Sequence, residues 1–435
     1  GAMTITGTGG GKNNSDNDGI SLGYGSTLKS GASSMTLTGI AGVNASSEGI
    51  TFQNTYTTNT LGHINSQSGN ITLRADSLYF GNNNTNQVLT QGTLTVEPYS
   101  PSFSSPLSWP ISNVSLSAMT GLTLGKAGNT ADLVFDAAET VAGPISLYGG
   151  NISVNQNMTT TGSAHPVLVQ ATGSIVQAAS KSVTTAGSDI SYLSNANGGT
   201  GLGGILLNNS TTFTSNGGNI LFAGGTKSGY ASGADLVNGY ASNYYNAGII
   251  VGTTNSSGVS IRSGGGNITL RGMDNYAYTN SPVLSTAYGW AIFGGGGTTL
   301  DTRDSNGQGS GSITISGQNT TYAPSGSSAI QWNAGGYSAV STFQTYAGNI
   351  TLNGTQLTGG TVGTAGVLLY EASLLSQTGN ISIVSDTIGI GTATTITTTG
   401  ALAITPLGTD SFSSAFSFNG SMSGANFIGS GSVAG

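Results

Sequence analysis

The chain of 435 residues has no cysteine, two histidines and very few charges: Lys and Arg number 9 and Asp and Glu 16, together 6% of the residues. An average soluble domain carries about 25% charged residues. Without cysteine there is neither a disulfide scaffold nor a thiolate metal site. Two histidines leave little with which to hold zinc, so no metal and no cofactor is expected. A net charge of -7 with only 9 basic groups offers no footprint for nucleic acid or an anionic membrane. No apolar run reaches eighteen residues, so no transmembrane helix is expected. The shortage of Glu, Lys and Arg also removes the residues that coat surface helices. The chain is nonetheless 36% hydrophobic, too apolar and too weakly charged for the disordered class.

What is abundant is glycine, 72 residues, among Ser, Thr and Asn. There is no G-X-Y period, so this is not collagen. The glycines head a recurring phrase of glycine, a small polar residue and isoleucine, followed by alternation. It occurs as Gly69-Asn70-Ile71-Thr72-Leu73, Gly150-Asn151-Ile152-Ser153-Val154, Gly266-Asn267-Ile268-Thr269-Leu270, Gly311-Ser312-Ile313-Thr314-Ile315 and Gly348-Asn349-Ile350-Thr351-Leu352. A second phrase includes Gly49-Ile50-Thr51-Phe52, Gly204-Ile205-Leu206-Leu207, Gly248-Ile249-Ile250-Val251 and Gly366-Val367-Leu368-Leu369, with Ala291-Ile292-Phe293 as a variant. From Ile205 onward the two alternate, and the pair recurs every 31 to 48 residues. Fixed-order self-similarity marks a solenoid. Period-two alternation in short runs marks strands, and a preceding Gly-Asn or Gly-Gly supplies a turn. The expected fold is all-β, a right-handed parallel β-helix (β-solenoid) with loop insertions. Each phrase reads as one rung of about 20 residues, so that roughly twenty rungs stack about 4.8 Å apart. Asn beside the turn glycine is placed to ladder with its equivalent on the next rung.

Variable unit length implies insertions, and the long ones are read at 223–247, 271–288 and 296–310. Segment 97–112 holds Pro98, Pro101, Pro106 and Pro110 and cannot continue a central strand. It reads as an excursion or as a joint between a first β-helix segment, 4–96, and a main one, 113–435. Gly1-Ala2-Met3 reads as a cloning remnant ahead of the natural sequence.

These repeats resemble those of filamentous haemagglutinin-like exoproteins, bacterial surface adhesins exported by two-partner secretion. The likeness is strongest at Gly121-Leu122-Thr123-Leu124-Gly125-Lys126-Ala127-Gly128-Asn129-Thr130 and at Ala142-Gly143-Pro144-Ile145-Ser146-Leu147-Tyr148-Gly149-Gly150-Asn151-Ile152. It covers most of 113–400 and, more loosely, 4–96. It implies an extracellular or cell-surface protein that acts in adhesion or in a biofilm matrix. The Asn-Pro-Asn motifs of that family's export domain are missing here, which would make this an internal or distal segment.

A search for chemistry finds little. Gly19-Ile20-Ser21-Leu22-Gly23 matches the nucleophile elbow G-x-S-x-G, but no helical pattern follows it. His63 and His165 belong to unrelated rungs. Asp16-Asn17-Asp18-Gly19 resembles the start of a calcium loop and lacks its closing glutamate. Asp301-Thr302-Arg303-Asp304 is the densest charge cluster, open to reading as a solvated turn, a weak calcium site or a polysaccharide-cleaving carboxylate pair. Asn70, Asn267 and Asn349 head N-x-T sequons that double as the turn motif.

The most informative local feature is aromatic: Tyr230, Tyr240, Tyr244, Tyr245, Tyr276, Tyr278, Tyr288 and Trp290 fall within about sixty residues, mostly in insertions. Exposed Tyr and Trp suit sugars or protein partners. The competing reading packs them onto the solenoid wall. The expectation is a non-enzymatic, monomeric adhesin segment that meets a cell-surface receptor, glycan or biofilm matrix through projecting loops. A carbohydrate-active β-helix enzyme, a plain stalk and ice binding through threonine ladders are the alternatives.

Overall fold

The computed structural model describes all residues except 12–16, 24–25, 53–62, 67, 82–85, 113, 117–118, 197–202, 226–230, 233, 236–245, 254–257, 275–288, 320–327, 334–338, 357–364, 408–411, 413–416, 419–420, 424–425 and 430–435. No helix occurs among the described residues. The chain folds as two compact units, Gly1–Thr172 and Gly173–Gly435. The proline-rich segment lies inside the first. Each unit is a parallel β-solenoid with three strand faces, here named the long, second and third faces.

One turn of the second unit shows the plan. Ile190–Ser194 lies on the long face, Ile205–Leu207 on the second and Thr212–Thr214 on the third. The chain then returns to the long face as Ile220–Gly224, paired in parallel with Ile190–Ser194. The two sequence phrases are therefore two faces of a single turn. The third face is a strand too short in apolar residues to announce itself. A turn consequently takes more than the expected 20 residues. Successive long-face partners Ile190, Ile220, Ile268, Ile313, Ile350, Ile381 and Leu402 are 21 to 48 residues apart. Among the described residues the long face counts seven strands in the first unit and eight in the second, fewer than the roughly twenty rungs expected.

Alternation decides what goes inside. On the long face of the first unit Met35, Ile71, Leu94, Leu122, Ile145 and Val167 align turn upon turn, and all are buried. In the second unit the column Tyr192, Phe222, Leu270, Ile315, Leu352, Ile383 and Ile404 does the same. Each such side chain contributes about 1.5–3 kcal/mol by leaving water. Tyr192, Phe213 and Phe222 meet edge to face, with centroids 4.9 to 5.7 Å apart, and so fill the wider section between three faces.

The corners carry a second, polar column. Where the third face turns back to the long face, buried hydroxyls of Thr185, Ser215, Ser263, Thr345 and Ser376 donate to backbone carbonyls of the Gly-Asn turns and their equivalents. Small hydroxyl residues recur here because a sharp corner exposes carbonyls that no strand partner reaches. Just outside, the expected ladder is present. Asn219 N donates to Asp189 Oδ1, Asn267 N to Asn219 Oδ1, Ser312 N to Asn267 Oδ1, Asn349 N to Ser312 Oγ and Asn380 N to Asn349 Oδ1, at 2.8 to 3.0 Å. The sequon asparagines 267 and 349 are thus links of the ladder.

The insertions leave from the opposite end of the long face. Strands Ile268–Asp274, Ile313–Asn319 and Ile350–Gln356 run past the corner before the chain departs. It re-enters the second face at Gly289–Gly294, Ser328–Trp332 and Ala365–Leu369. Gly272, Gly317 and Gly354 form one column at this neck. A Cβ on Gly317 would sit 2.1 Å from the carbonyl oxygen of Ala329. The outgoing and returning backbones touch, so only glycine fits. Within the segment read as an insertion at 296–310 lies the third-face strand Thr299–Asp301. Gly317→Ala is expected to destabilise the second unit by about 1–3 kcal/mol through overpacking. Urea unfolding of the variant checks this, and an unchanged midpoint would show that the neck is not closed.

Candidate functional site

Of the eight aromatic residues expected to bind a partner, Tyr230, Tyr240, Tyr244, Tyr245, Tyr276, Tyr278 and Tyr288 lie outside the described residues. Trp290 is not a loop residue. It belongs to the second-face strand Gly289–Gly294 and is 4% exposed. Its ring packs on Phe293, centroids 4.7 Å apart, in a cluster with Leu206, Ala247 and Ile250. The expectation of an exposed binding tryptophan is therefore corrected: in-register stacking beside Ala247 leaves it room as a wall filler.

The remaining sequence candidates resolve into structure. Ser21 is the exposed middle residue of strand Ile20–Leu22, so no nucleophile elbow forms. Asp18 Oδ1 accepts from Glu48 N on the next turn, 2.9 Å away. Asp16 lies outside the described residues. His63 begins strand His63–Ser66, while the His165 carbonyl accepts from Thr160 Oγ1. Among the described residues no three His, Asp or Glu side chains converge as a metal site would require.

Asp301 is the centre of an ion-pair network rather than half of a carboxylate pair. Its Oδ1 accepts from Arg303 N and Nε, and its Oδ2 from Arg303 Nη2 and Arg262 Nη1 at 2.9 and 3.1 Å. Arg303 also donates to Gln344. Asp304 turns its Oδ1 to the backbone N–H groups of Asn306 and Gln308. Arg262, Asp301 and Gln344 occupy consecutive positions of one third-face column. They interrupt the hydroxyls of Thr214 and Thr397 that a regular threonine array would need. Burial alone would raise the Asp301 carboxyl, but hydrogen bonds and charge from Arg303, with Arg262 beyond, outweigh it and hold the group below its ordinary range.

A different place has the shape of a binding site. In the first unit a cleft of about 240 Å³ lies between Asp76–Gly81 on the wall and Phe103–Ser112 of the proline-rich segment. Tyr79, Phe80, Phe103, Pro106 and Ile111 line it, with the hydroxyl residues Ser77, Ser105, Ser108 and Ser112 and the acid Asp76. Tyr79 is 43% exposed, whereas Phe80 is buried and stacked on Phe52 at 4.5 Å. One lining ring is thus open to solvent and another is anchored in the core. The far wall is held from three sides. Asp76 Oδ1 accepts from Ser100 N at 2.7 Å, and the Asp76 carbonyl accepts from Ser104 N and Oγ. The buried Asn129 side chain accepts from Ser102 Oγ and Phe103 N and donates to the Tyr148 carbonyl. Strand Leu107–Trp109 joins the second face beside Leu133–Phe135, and Trp109 Nε1 donates to Glu139 Oε1. Four prolines limit the conformations of the segment before these bonds form. Chemically the arrangement can hold a small ring between an aromatic face and hydroxyls. It is below the ~300–1,000 Å³ of a drug-sized pocket, so one sugar ring or side chain is the natural occupant. Sequence reasoning passed over it, although the proline density that begins eighteen residues beyond Phe80 was a usable sign.

Compared with known proteins, the chain matches no family model, no curated protein and no solved structure. What the geometry defines is a class, the parallel β-solenoid with insertions.

The Asp301 network yields a pH prediction. Its folded carboxyl titrates below the unfolded one, near ~3.9. The pairing therefore contributes fully above that value and is lost as pH falls through the folded one. Asp301→Asn is expected to cost about 1–3 kcal/mol at pH 7, reduced by solvent around the half-exposed Arg262. The deficit narrows in thermal melts at about pH 3. An equal deficit at both pH values would exclude an ionic origin.

Proposed function

We propose that the chain is an extracellular segment of a filamentous haemagglutinin-like bacterial surface adhesin, and that it holds a surface glycan without transforming it. The observation that carries this reading is the first-unit cleft, where exposed Tyr79 and several serines face a proline-stiffened wall. An aromatic face with neutral hydroxyls suits a sugar ring, whose own faces are apolar and whose rim is polar. Among the described residues the only acid in the lining, Asp76, spends one oxygen on Ser100 N. A general acid–base pair needs converging groups with protons to exchange. The repeated turns and hydroxyl-rich strands support the adhesin reading, since a solenoid presents a long surface at low charge.

The test is a glycan array, followed by titration of the best ligand. Tyr79→Ala should weaken binding about tenfold, equivalent to ~1.4 kcal/mol, with unchanged melting temperature. Phe103→Ala should loosen the wall and lower both. Release of reducing ends from an array polysaccharide would replace the adhesin reading with an enzymatic one. Equal affinity in Tyr79→Ala and wild type would move binding away from the cleft.

A further inference from the structure

The first-unit cleft carries charge of one sign. Asp76 is the only carboxylic acid among its described lining residues, and no Lys, Arg or His stands with it. The Asp76 Oδ1 accepts from Ser100 N at 2.7 Å. A backbone N–H is neutral, so this bond orients the carboxylate without cancelling its charge. The cations of the adjoining segments are committed elsewhere. Arg74, two residues before Asp76, pairs with Glu97 at 2.6 Å. Lys126 reaches the start of the proline-rich segment and donates to the carbonyls of Pro98 and Tyr99. Among the described residues no ion pair includes Asp76.

The second element is the ring of Tyr79, three residues further along the same wall and 43% exposed. The cleft measures about 240 Å³, so an occupant that fills it meets both the ring and the carboxylate. Together they attract a cation. The ring does so through its quadrupole, and the carboxylate through its charge and a charge-assisted hydrogen bond. An acidic sugar would meet a like charge with no basic residue to offset it. A neutral sugar would leave the carboxylate unanswered in a partly enclosed space. The hydroxyls of Ser77, Ser105 and Ser108 ask for more than an ammonium group alone, namely a ring that carries hydroxyls of its own.

We propose that the cleft selects an amino sugar whose nitrogen is free and protonated, and that Asp76 is the residue that selects it. This rests on the reading of the cleft as a glycan site and names the class of glycan it takes. The ammonium group sits against Asp76, the apolar face of the pyranose lies on Tyr79, and the ring hydroxyls meet the serines.

Calorimetric titration of the full chain with glucosamine, N-acetylglucosamine, glucose and glucuronic acid tests this at about pH 6.5, where an amine of the α-amino kind is protonated. Glucosamine should bind roughly tenfold tighter than its acetylated form or glucose, and glucuronic acid weakest of all. The preference should fade by about pH 9, as the amine loses its proton, and shrink with added salt. Asp76→Asn keeps an acceptor for Ser100 N, so its melting temperature should not change, while glucosamine and N-acetylglucosamine become equal. A preference that is missing in the wild type, or that survives in Asp76→Asn or at about pH 9, overturns the inference and leaves the cleft a sugar site. If no sugar binds, or glucosamine binds Tyr79→Ala as it binds the wild type, the glycan reading itself fails. A lysine-bearing peptide that binds tighter than glucosamine, and loses that advantage in Asp76→Asn, would put a protein partner in place of the sugar.

Discussion

Every turn of these solenoids hands its backbone N–H and C=O groups to the turns on either side. That in-register parallel pairing is the constraint from which the rest follows. It fixes the spacing between turns, forces each corner to fall at the same height as the next, and aligns every side chain with its equivalent. A residue is then selected as a member of a column rather than for its own turn alone. Ile268, Ile313 and Ile350 are interchangeable for this reason, and so are Asn267, Ser312 and Asn349 just before them. The low charge of the chain has the same cause. Like charges in a column would sit about 4.8 Å apart; on the third face of the second unit, the described strands carry charge at Arg262 and Asp301, which stand side by side with opposite signs.

The same constraint separates scaffold from site. Columns leave no freedom at strand positions, so variation is pushed to the corners, where insertions depart and return through a neck of glycine. The candidate site lies at such a departure. In the first unit the proline-rich segment leaves the wall after Glu97 and is bound back by Asp76, Asn129 and Glu139. Binding groups are costly to bury and are accommodated where column packing ends.

A rigid wall also explains why aromatic residues are poor guides to function here. Trp290, Trp332, Tyr192 and Phe213 all fill the interior or the wall, because a section bounded by three faces needs large side chains where the faces diverge. Tyr79 differs only in that its strand, Leu78–Tyr79, ends at the cleft, leaving the ring partly open.

Much of the fold was legible in the sequence. Period-two runs headed by Gly-Asn determined the strands, the inward columns and the asparagine ladder, because alternation and turn chemistry are local properties. The tertiary structure alone decided how many strands close a turn. The third face carries a single apolar residue in most of its strands, as at Thr299-Leu300-Asp301, and has no local signature. It alone decided that Trp290 is buried, that Asp301 is neutralised by Arg262 of the neighbouring strand as well as by Arg303 of its own following turn, and that Ser100 and Asp76, 24 residues apart, close a cleft. Those facts depend on which residues share a height in the stack, and height is set by the length of every intervening loop.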